Sequence, residues 1–219
     1  MPTATPNLPR LGSTPAATSN PSLVDDDEWS GELVVGADLS GTVAEHARIS
    51  GCELREVRLT GAQLHRCVLT DVRIVDSELS GAILNESQWL RVELRNCRMS
   101  GLVVSQSRLR HVSVFDSKLD GADFRLTTTE RIAFEGCAMP DADFYEASLT
   151  HVRFDHCDVE RAHFSKVLAN DLRFHRSSLD GIRGATSLRG AVVSFEQVLP
   201  VALALFAELG IKIQNEDEG

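Results

Sequence analysis

A repeat of five residues runs without interruption from Ala37 to Gly181 and constrains the fold more than any other feature of the sequence. These 145 residues divide into 29 units. The third residue of a unit is bulky and apolar in 26 of the 29, the exceptions being Ala44, Thr129 and Ala169. The first residue is small or aliphatic and never charged, whereas charges are concentrated at the second, fourth and fifth positions.

This period excludes the two commonest patterns of secondary structure. An amphipathic helix repeats every 3.6 residues and a half-buried strand every two. Two apolar residues in every five instead predict a coil that points both inward and turns a corner between them. A single unit cannot bury its apolar pair alone, so the units must stack around a continuous core.

The units resemble the A(D/N)LXX motif of pentapeptide repeat proteins, as in 37–41 (ADLSG), 122–126 (ADFRL) and 142–146 (ADFYE). Few units have Asp at the second position, so the apolar positions carry the resemblance. It implies an all-β solenoid, a right-handed quadrilateral parallel β-helix with four units per coil. The repeat would then form about seven coils and a rod roughly 35 Å long.

Composition divides the chain into five predicted segments. The first is rich in Pro, Thr, Ala and Ser, with too few large apolar residues to offset the entropy of ordering, and is expected to be disordered. The segments are a disordered N-terminal tail (1–28), an N-terminal cap (29–36), the β-helix (37–191), a C-terminal helical cap or dimerisation module (192–213) and an acidic tail (214–219).

The N-terminal cap and two irregular units carry specific expectations. Trp29, Leu33 and Val35 are predicted to cover the open end of the first coil, because a terminal coil exposes both core and strand edge. Polar Thr129 and small Ala169 occupy third positions, and we expect local distortion or a bulge at each.

The C-terminal module reads as a helix at about 195–209. Ser194 and Gln197 form a capping-box pattern before it, Pro200 should kink or split it, and residues 211–213 are predicted as a short strand. Because the helix is apolar on most sides, it can cover the last coil or pair with a copy of itself. Some pentapeptide repeat proteins dimerise through such a module, so the resemblance permits a homodimer. The candidate residues for the cap or dimer surface are Phe195, Leu199, Leu203 and Phe206.

Charge predicts a banded rod within a chain of net charge −10. Residues 116–160 contain 11 acids and 4 bases, whereas 88–112 contain one acid and five arginines. A solvated surface and a partner-binding band both fit this pattern. The candidate acidic band is Asp116, Asp120, Asp123, Glu135, Asp141, Asp143, Glu146, Asp155, Asp158 and Glu160.

No catalytic, cofactor-binding or metal-binding pattern is evident. The best catalytic suspect is the column of Asp123, Asp143 and His163, for which a solvated stripe is the simpler interpretation. The five cysteines all occupy first positions, which predicts reduced, buried thiols. With no signal-peptide pattern, no membrane-length apolar run and no basic segment, we expect a cytoplasmic protein that binds neither membrane nor nucleic acid directly.

Two functions remain open. The first is a non-catalytic rod that presents a rigid, charged face to a protein partner. The second follows from the resemblance, because some pentapeptide repeat proteins mimic duplex DNA, bind type II topoisomerases such as DNA gyrase, and protect them from quinolones or peptide toxins. The nearly balanced charge of the coils favours the first.

Overall fold

The computed structural model describes residues 5–12, 16–18 and 22–213. Within them the chain forms a parallel β-solenoid of about seven turns followed by one α-helix, which confirms the expected fold. The predicted acidic tail (214–219) lies outside the described residues, as do 1–4, 13–15 and 19–21 of the N-terminal segment.

Thirteen strands are described, and all of their pairings are parallel. They are β1 (Ala16–Thr18), β2 (Glu28–Ser30), β3 (Glu32–Val35), β4 (Val43–Glu45), β5 (Arg48–Ser50), β6 (Glu53–Arg55), β7 (Gln63–His65), β8 (Val68–Val75), β9 (Gln88–Arg95), β10 (Arg108–Phe115), β11 (Thr128–Glu135), β12 (Ser148–Asp155) and β13 (Leu168–His175).

Residues 20 apart stack on one another. Leu109 pairs with Trp89 on one side and with Thr129 on the other. Each eight-residue strand from β8 to β13 spans two faces of the coil. The other two faces are held by single bridges, such as those that join Asp123 to Val103 and to Asp143. Four faces and a 20-residue step give the square cross-section that the resemblance to pentapeptide repeat proteins implies.

The corners have a uniform backbone. Every fifth-position residue from Asp26 to Gly181 has φ between 48° and 67°. This left-handed region is costly for residues with a side chain, yet most of these corners are not glycine. The inter-coil hydrogen bonds on both sides of each corner therefore hold the chain in this conformation.

Third-position side chains fill the lumen, and 28 of the 29 in the predicted repeat are buried. Aliphatic residues dominate the N-terminal coils. Six phenylalanines form two columns in the C-terminal coils, with ring centroids 4.9 to 5.2 Å apart within a column. The first column is Phe124, Phe144 and Phe164, and the second is Phe134, Phe154 and Phe174.

The N-terminal end continues the repeat. Trp29 and Val34 are buried at third positions, five residues apart and in register with Leu39. Val35 is 51% exposed, so the core position predicted for it is taken by its neighbour. Two further units thus close the rod where the sequence indicated a separate cap.

The two irregular units do not distort the ladder. Thr129 is buried and pairs in register with Leu109 and Leu149. Its hydroxyl donates to the carbonyl of Ser148 at 3.0 Å, which satisfies the polar group inside the core. Ala169 likewise pairs in register with Leu149. The bulges expected here are absent because neither residue demands extra backbone.

The C-terminal module is shorter than predicted. A 3₁₀ turn (Phe195–Gln197) precedes helix α1 (Val198–Glu208), and the capping box between Ser194 and Gln197 is present. Pro200 lies in the first turn of α1, where its missing N–H removes no helical hydrogen bond. Residues 211–213 form no strand.

Candidate functional site

The acidic band spans three adjoining faces of the four-sided rod. Glu135 and Asp155 end the long strands β11 and β12, and the other eight acids lie on the two faces held by single bridges or at their corners. Asp123 and Asp143 are stacked on one of these faces, and Asp158 lies on the other. The structure therefore brings the ten predicted residues onto adjoining faces.

Most of these acids are neutralised by neighbouring cations. Arg125 contacts Asp123 through two nitrogens at 2.6 and 3.0 Å, which raises the pKa of the guanidinium. Arg161 binds Asp141 at 2.8 Å and lowers its pKa through the hydrogen bond. Seven of the ten have a cationic nitrogen or a histidine within 4 Å: Asp123, Glu135, Asp141, Asp143, Glu146, Asp155 and Glu160.

Three acids of the band have no ion pair in the described part of the chain. Asp120 accepts a hydrogen bond from the Ser100 hydroxyl at 2.9 Å. Asp158 accepts a hydrogen bond at 3.0 Å from the backbone amide of Glu160, two residues further along the chain. Asp116 is exposed at a corner. We call these three residues the unpaired acidic face. It lies along the column of bridges that joins Lys118, Ala138 and Asp158.

The predicted basic band does not form one basic face. Its five arginines point from five different columns around the rod, and three of them are paired. Arg91 forms a bidentate pair with Asp71 at 2.5 and 2.6 Å, and Arg110 binds Glu130 at 3.0 Å. Arg95 binds Glu93 at 3.1 Å and lies over the ring of Phe115 at 4.1 Å. Arg98 and Arg108 complete the set.

Glu93 is a buried charge that the sequence pattern did not reveal. A second-position residue is expected to point outward, yet Glu93 is only 3% exposed. It lies 3.4 Å from Arg73 on the preceding coil and 3.1 Å from Arg95 on its own strand. The alternating column Glu53, Arg73, Glu93 contained this signal, because a carboxylate flanked by two arginines can be buried where an isolated one cannot.

The column of Asp123, Asp143 and His163, considered above for catalysis, has the geometry of surface ion pairs. Asp143 lies 3.2 Å from His163 Nδ1, while Asp123 is bound by Arg125. All five cysteines are buried, and none forms a disulfide. Burial raises the pKa of the Cys67 and Cys97 thiols to about 11. Across the described ranges, no three His, Cys, Asp or Glu side chains are grouped to hold a metal ion. No helix in the described part of the chain combines the length and apolarity needed to cross a membrane.

The C-terminal module leaves a large apolar surface uncovered. Val201, Ala204 and Leu205 pack against the core, but no residue of α1 is fully buried. Of the fifteen large apolar side chains that are exposed in the described residues, eight fall within 195–213. This apolar C-terminal surface comprises Phe195 (89% exposed), Val198, Leu199, Leu203, Phe206, Leu209, Ile211 and Ile213. It includes all four predicted cap or dimer residues.

These features define a class: a β-solenoid rod with a charge-paired surface and one apolar end. Family models agree with it. The model described as a pentapeptide repeat region matches residues 87–164 and 116–183, and the model described as pentapeptide repeats (8 copies) matches 35–71. Together they cover more than half of the chain, which belongs to the pentapeptide repeat family.

Several solved structures match this chain at low sequence identity. Trypsin-treated QnrB1, a plasmid-mediated fluoroquinolone resistance protein, is 21% identical over 91% of this chain and 98% of its own, with a TM-score of 0.44. HetL, involved in heterocyst differentiation regulation in Nostoc sp. strain PCC 7120, is 18% identical over 78% and 88%, with a TM-score of 0.41. Rfr23 from the cyanobacterium Cyanothece 51142 is 15% identical over 68% and 91%, with a TM-score of 0.19. A comparison with curated proteins yields no match.

Proposed function

We propose that this protein is a non-catalytic interaction module that self-associates through its apolar C-terminal surface and presents the rod to a protein partner. The observation that carries the proposal is the concentration of exposed apolar side chains on α1 and the turns beside it. Contiguous apolar surface of this kind marks an interaction site on soluble proteins. The unpaired acidic face supports the second half of the proposal.

The helix is well suited to pair with a second copy. One side of α1 is fastened to the last coil, so the opposite side is held in a fixed orientation. A rigid surface loses little entropy on association. A two-fold dimer would set the patch that contains Phe195 and Leu199 against the same patch of its partner, because a symmetric interface uses one patch twice.

Sedimentation velocity tests self-association. We expect wild-type protein to sediment at roughly twice the monomer mass at micromolar concentration. Phe195→Asp combined with Leu199→Asp should give monomers, because the carboxylates would be desolvated in the interface. Leu126→Asp is the matched control: Leu126 is also exposed (49%) but lies on a corner of the rod. A wild-type monomer at about 100 µM would contradict the proposal.

The unpaired acidic face is proposed as the contact for the partner of the rod. Ion pairs already satisfy most of the band, so only Asp116, Asp120 and Asp158 offer charge that a cationic partner can neutralise without breaking an existing contact. Once a partner is identified, Asp116→Asn with Asp158→Asn should weaken binding and flatten its salt dependence. Asp141→Asn, at a paired site, is the control.

DNA gyrase is the second candidate partner, favoured by an acidic face on a narrow rod. The neutralisation of seven of the ten acids weakens this candidate, because a DNA mimic must present a dense negative field. A supercoiling assay decides it. Protein at micromolar concentration that neither inhibits gyrase nor relieves its inhibition by a fluoroquinolone would remove gyrase from consideration. Inhibition that is lost in the variant lacking the unpaired acids would establish it.

A further inference from the structure

The segment of residues 5–12 lies along one corner of the rod, although it belongs to the stretch that the sequence predicts to be disordered. The Asn7 backbone amide donates to His111 Nδ1 at 3.1 Å. The Arg10 backbone amide donates to Asp71 Oδ1 at 2.9 Å. Pro6 is buried, and Pro9 is half-buried. The segment is therefore bound through both its main chain and its prolines.

The two anchors match the spacing of the repeat. His111 and Asp71 belong to one column of fifth-position corners, with Arg91 between them, and are two coils apart. Two strand spacings amount to about 9.6 Å. Asn7 and Arg10 are three residues apart, and three residues of polyproline II rise about 9.3 Å. An extended, proline-containing segment therefore presents an amide to every second step of this corner ladder.

The corner ladder, Asp71–Arg91–His111, is preorganised to accept such amides. Both oxygens of Asp71 are held by Arg91 at 2.5 and 2.6 Å, which fixes the carboxylate that receives the Arg10 amide. The backbone of the three residues is left-handed with nearly equal φ of 54° to 55°, so the corner repeats one geometry from coil to coil. The ladder is thus a site for the main chain of an extended peptide.

The hydrogen bond between the Asn7 amide and His111 depends on the protonation state of His111. Nδ1 accepts a hydrogen bond only when it carries no proton. The charged groups around the ring are Arg110 on its own strand, Arg91 on the preceding coil, and Arg131 with Glu130 on the following coil. Glu130 is already paired with both Arg110 and Arg131. A proton on His111 would thus remove the acceptor and add a cation among three arginines.

We propose that residues 5–12 form a detachable strap, a built-in ligand of the corner ladder, and that protonation of His111 releases it. While the strap is bound, the ladder is closed to any other extended peptide. Release exposes the acceptors of the corner ladder to main-chain amides of other proline-containing segments. The strap is a switch on the corner of the rod next to that of Asp116, which belongs to the unpaired acidic face.

The pH arm of the test measures backbone order parameters of Asn7 and Arg10 by ¹⁵N relaxation on the full chain. Burial, followed by Arg131, holds the pKa of His111 below its ordinary value. The strap should therefore be fully held above about pH 6.5, the ordinary histidine pKa, and loosen progressively below it. We expect order parameters near 0.85 at pH 7.5 and about 0.6 or lower at pH 5.

His111→Asn separates titration from simple loss of contact. Its Oδ1 takes the approximate place of Nδ1 as an acceptor, it does not titrate, and asparagine tolerates the left-handed backbone of this corner. The variant should keep a rigid Asn7 at both pH values. Low order parameters in wild-type protein at pH 7.5, or equal loosening of the variant at pH 5, would overturn the proposal.

Trypsin provides the second arm, because Arg10 lies inside the strap and cleavage after it requires release. Asn7→Pro removes the N–H that binds His111 and preserves an extended backbone. We expect cleavage at Arg10 to be about fivefold faster at pH 8, the effect of one lost hydrogen bond. Leu8→Pro is the matched control, since Leu8 is 55% exposed and its amide makes no hydrogen bond among the described residues. Equal rates in the two variants would exclude the Asn7 anchor.

Discussion

Glu208 fastens α1 to the last coil through a single carboxylate. It accepts hydrogen bonds from the backbone amides of Gly184, Ala185 and Thr186 and from the Thr186 hydroxyl, at 2.5 to 3.1 Å. Burial raises the pKa of Glu208, but these donors outweigh it and hold the pKa below its ordinary value. The contact therefore contributes more when the carboxylate is ionised.

Glu208→Gln should loosen α1 in a pH-dependent way. Because the folded pKa is lowered, the contribution is complete above the ordinary glutamate pKa of about 4.3 and is lost as pH falls below it. We expect a loss of about 1 kcal/mol at pH 7, discounted for the exposure of the side chain, and convergence with wild type once the pH falls below the lowered pKa of Glu208. The hydrogen-exchange rates of the Ala185 and Thr186 backbone amides measure this loosening of α1. Glu196→Gln, exposed on the preceding turn, should change nothing, and a pH-independent difference would contradict this account.

The phenylalanine columns give the C-terminal coils a different core from the N-terminal ones. Phe154 is fully buried, stacks on Phe134 and Phe174 at 5.0 Å, and meets Phe144 edge-on at 5.8 Å. In the N-terminal coils the same column contains Leu54, and no ring contact supports it. The aromatic columns therefore add stacking to the burial that every coil provides.

Phe154→Ala should destabilise the protein by about 4 kcal/mol, through lost burial and a cavity that the stacked neighbours cannot fill. Phe154→Leu should cost about 1.5 kcal/mol, because leucine restores much of the volume but none of the stacking. Urea unfolding measures both. Leu168→Ala, 71% exposed on β13, should stay within about 0.5 kcal/mol. A negligible cost for the leucine variant beside a large cost for the alanine variant would show that stacking contributes nothing here.

The five-residue period predicted which side chains fill the core but not which charges are buried. The third-position rule also places Trp29 and Val34 inside, beyond the boundary drawn from the sequence. The period assigns a position an inside or an outside, whereas the burial of Glu93 depends on two particular arginine neighbours. Likewise, the sequence predicted the capping box at Ser194. It did not predict where α1 begins, which depends on the preference of Pro200 for the first turn of a helix.

The candidate surfaces show the same division. The ten acids were identified from composition, and their adjoining placement follows from the 20-residue coil. Which of them are neutralised could not be predicted, because a partner such as Arg161 is one coil away from Asp141 and the choice among rotamers decides the pair. The strap was missed because its few anchors are backbone amides, and a sequence gives no sign of where an amide will find an acceptor.

The rod as a whole has one continuous core, which changes from mainly aliphatic to mainly aromatic along its length. Where the aliphatic coils give way to the phenylalanine columns, a cavity of about 20 Å³ remains, with Trp89, Val114 and Phe124 among its lining residues. Its walls are apolar, and the buried Trp89 Nε1 has no hydrogen-bond partner among the described atoms. A water would need two or more polar partners, so the cavity is dry. Lost contact across the cavity leaves this junction less tightly packed than a junction without a cavity.

Val114→Ile should therefore stabilise the protein, by about 0.5 kcal/mol, because the added methylene enters existing space. Val104→Ile adds the same group at a fully buried third position that does not line the cavity, and it should destabilise by about 1 kcal/mol through overpacking. Opposite signs of the two changes in stability would indicate loose packing at the junction, because added hydrophobicity alone would make both substitutions stabilising. Denaturant midpoints of the two variants, measured with wild type in one series, decide the matter: two shifts of the same sign would mean that the junction is no more loosely packed than the rest of the rod.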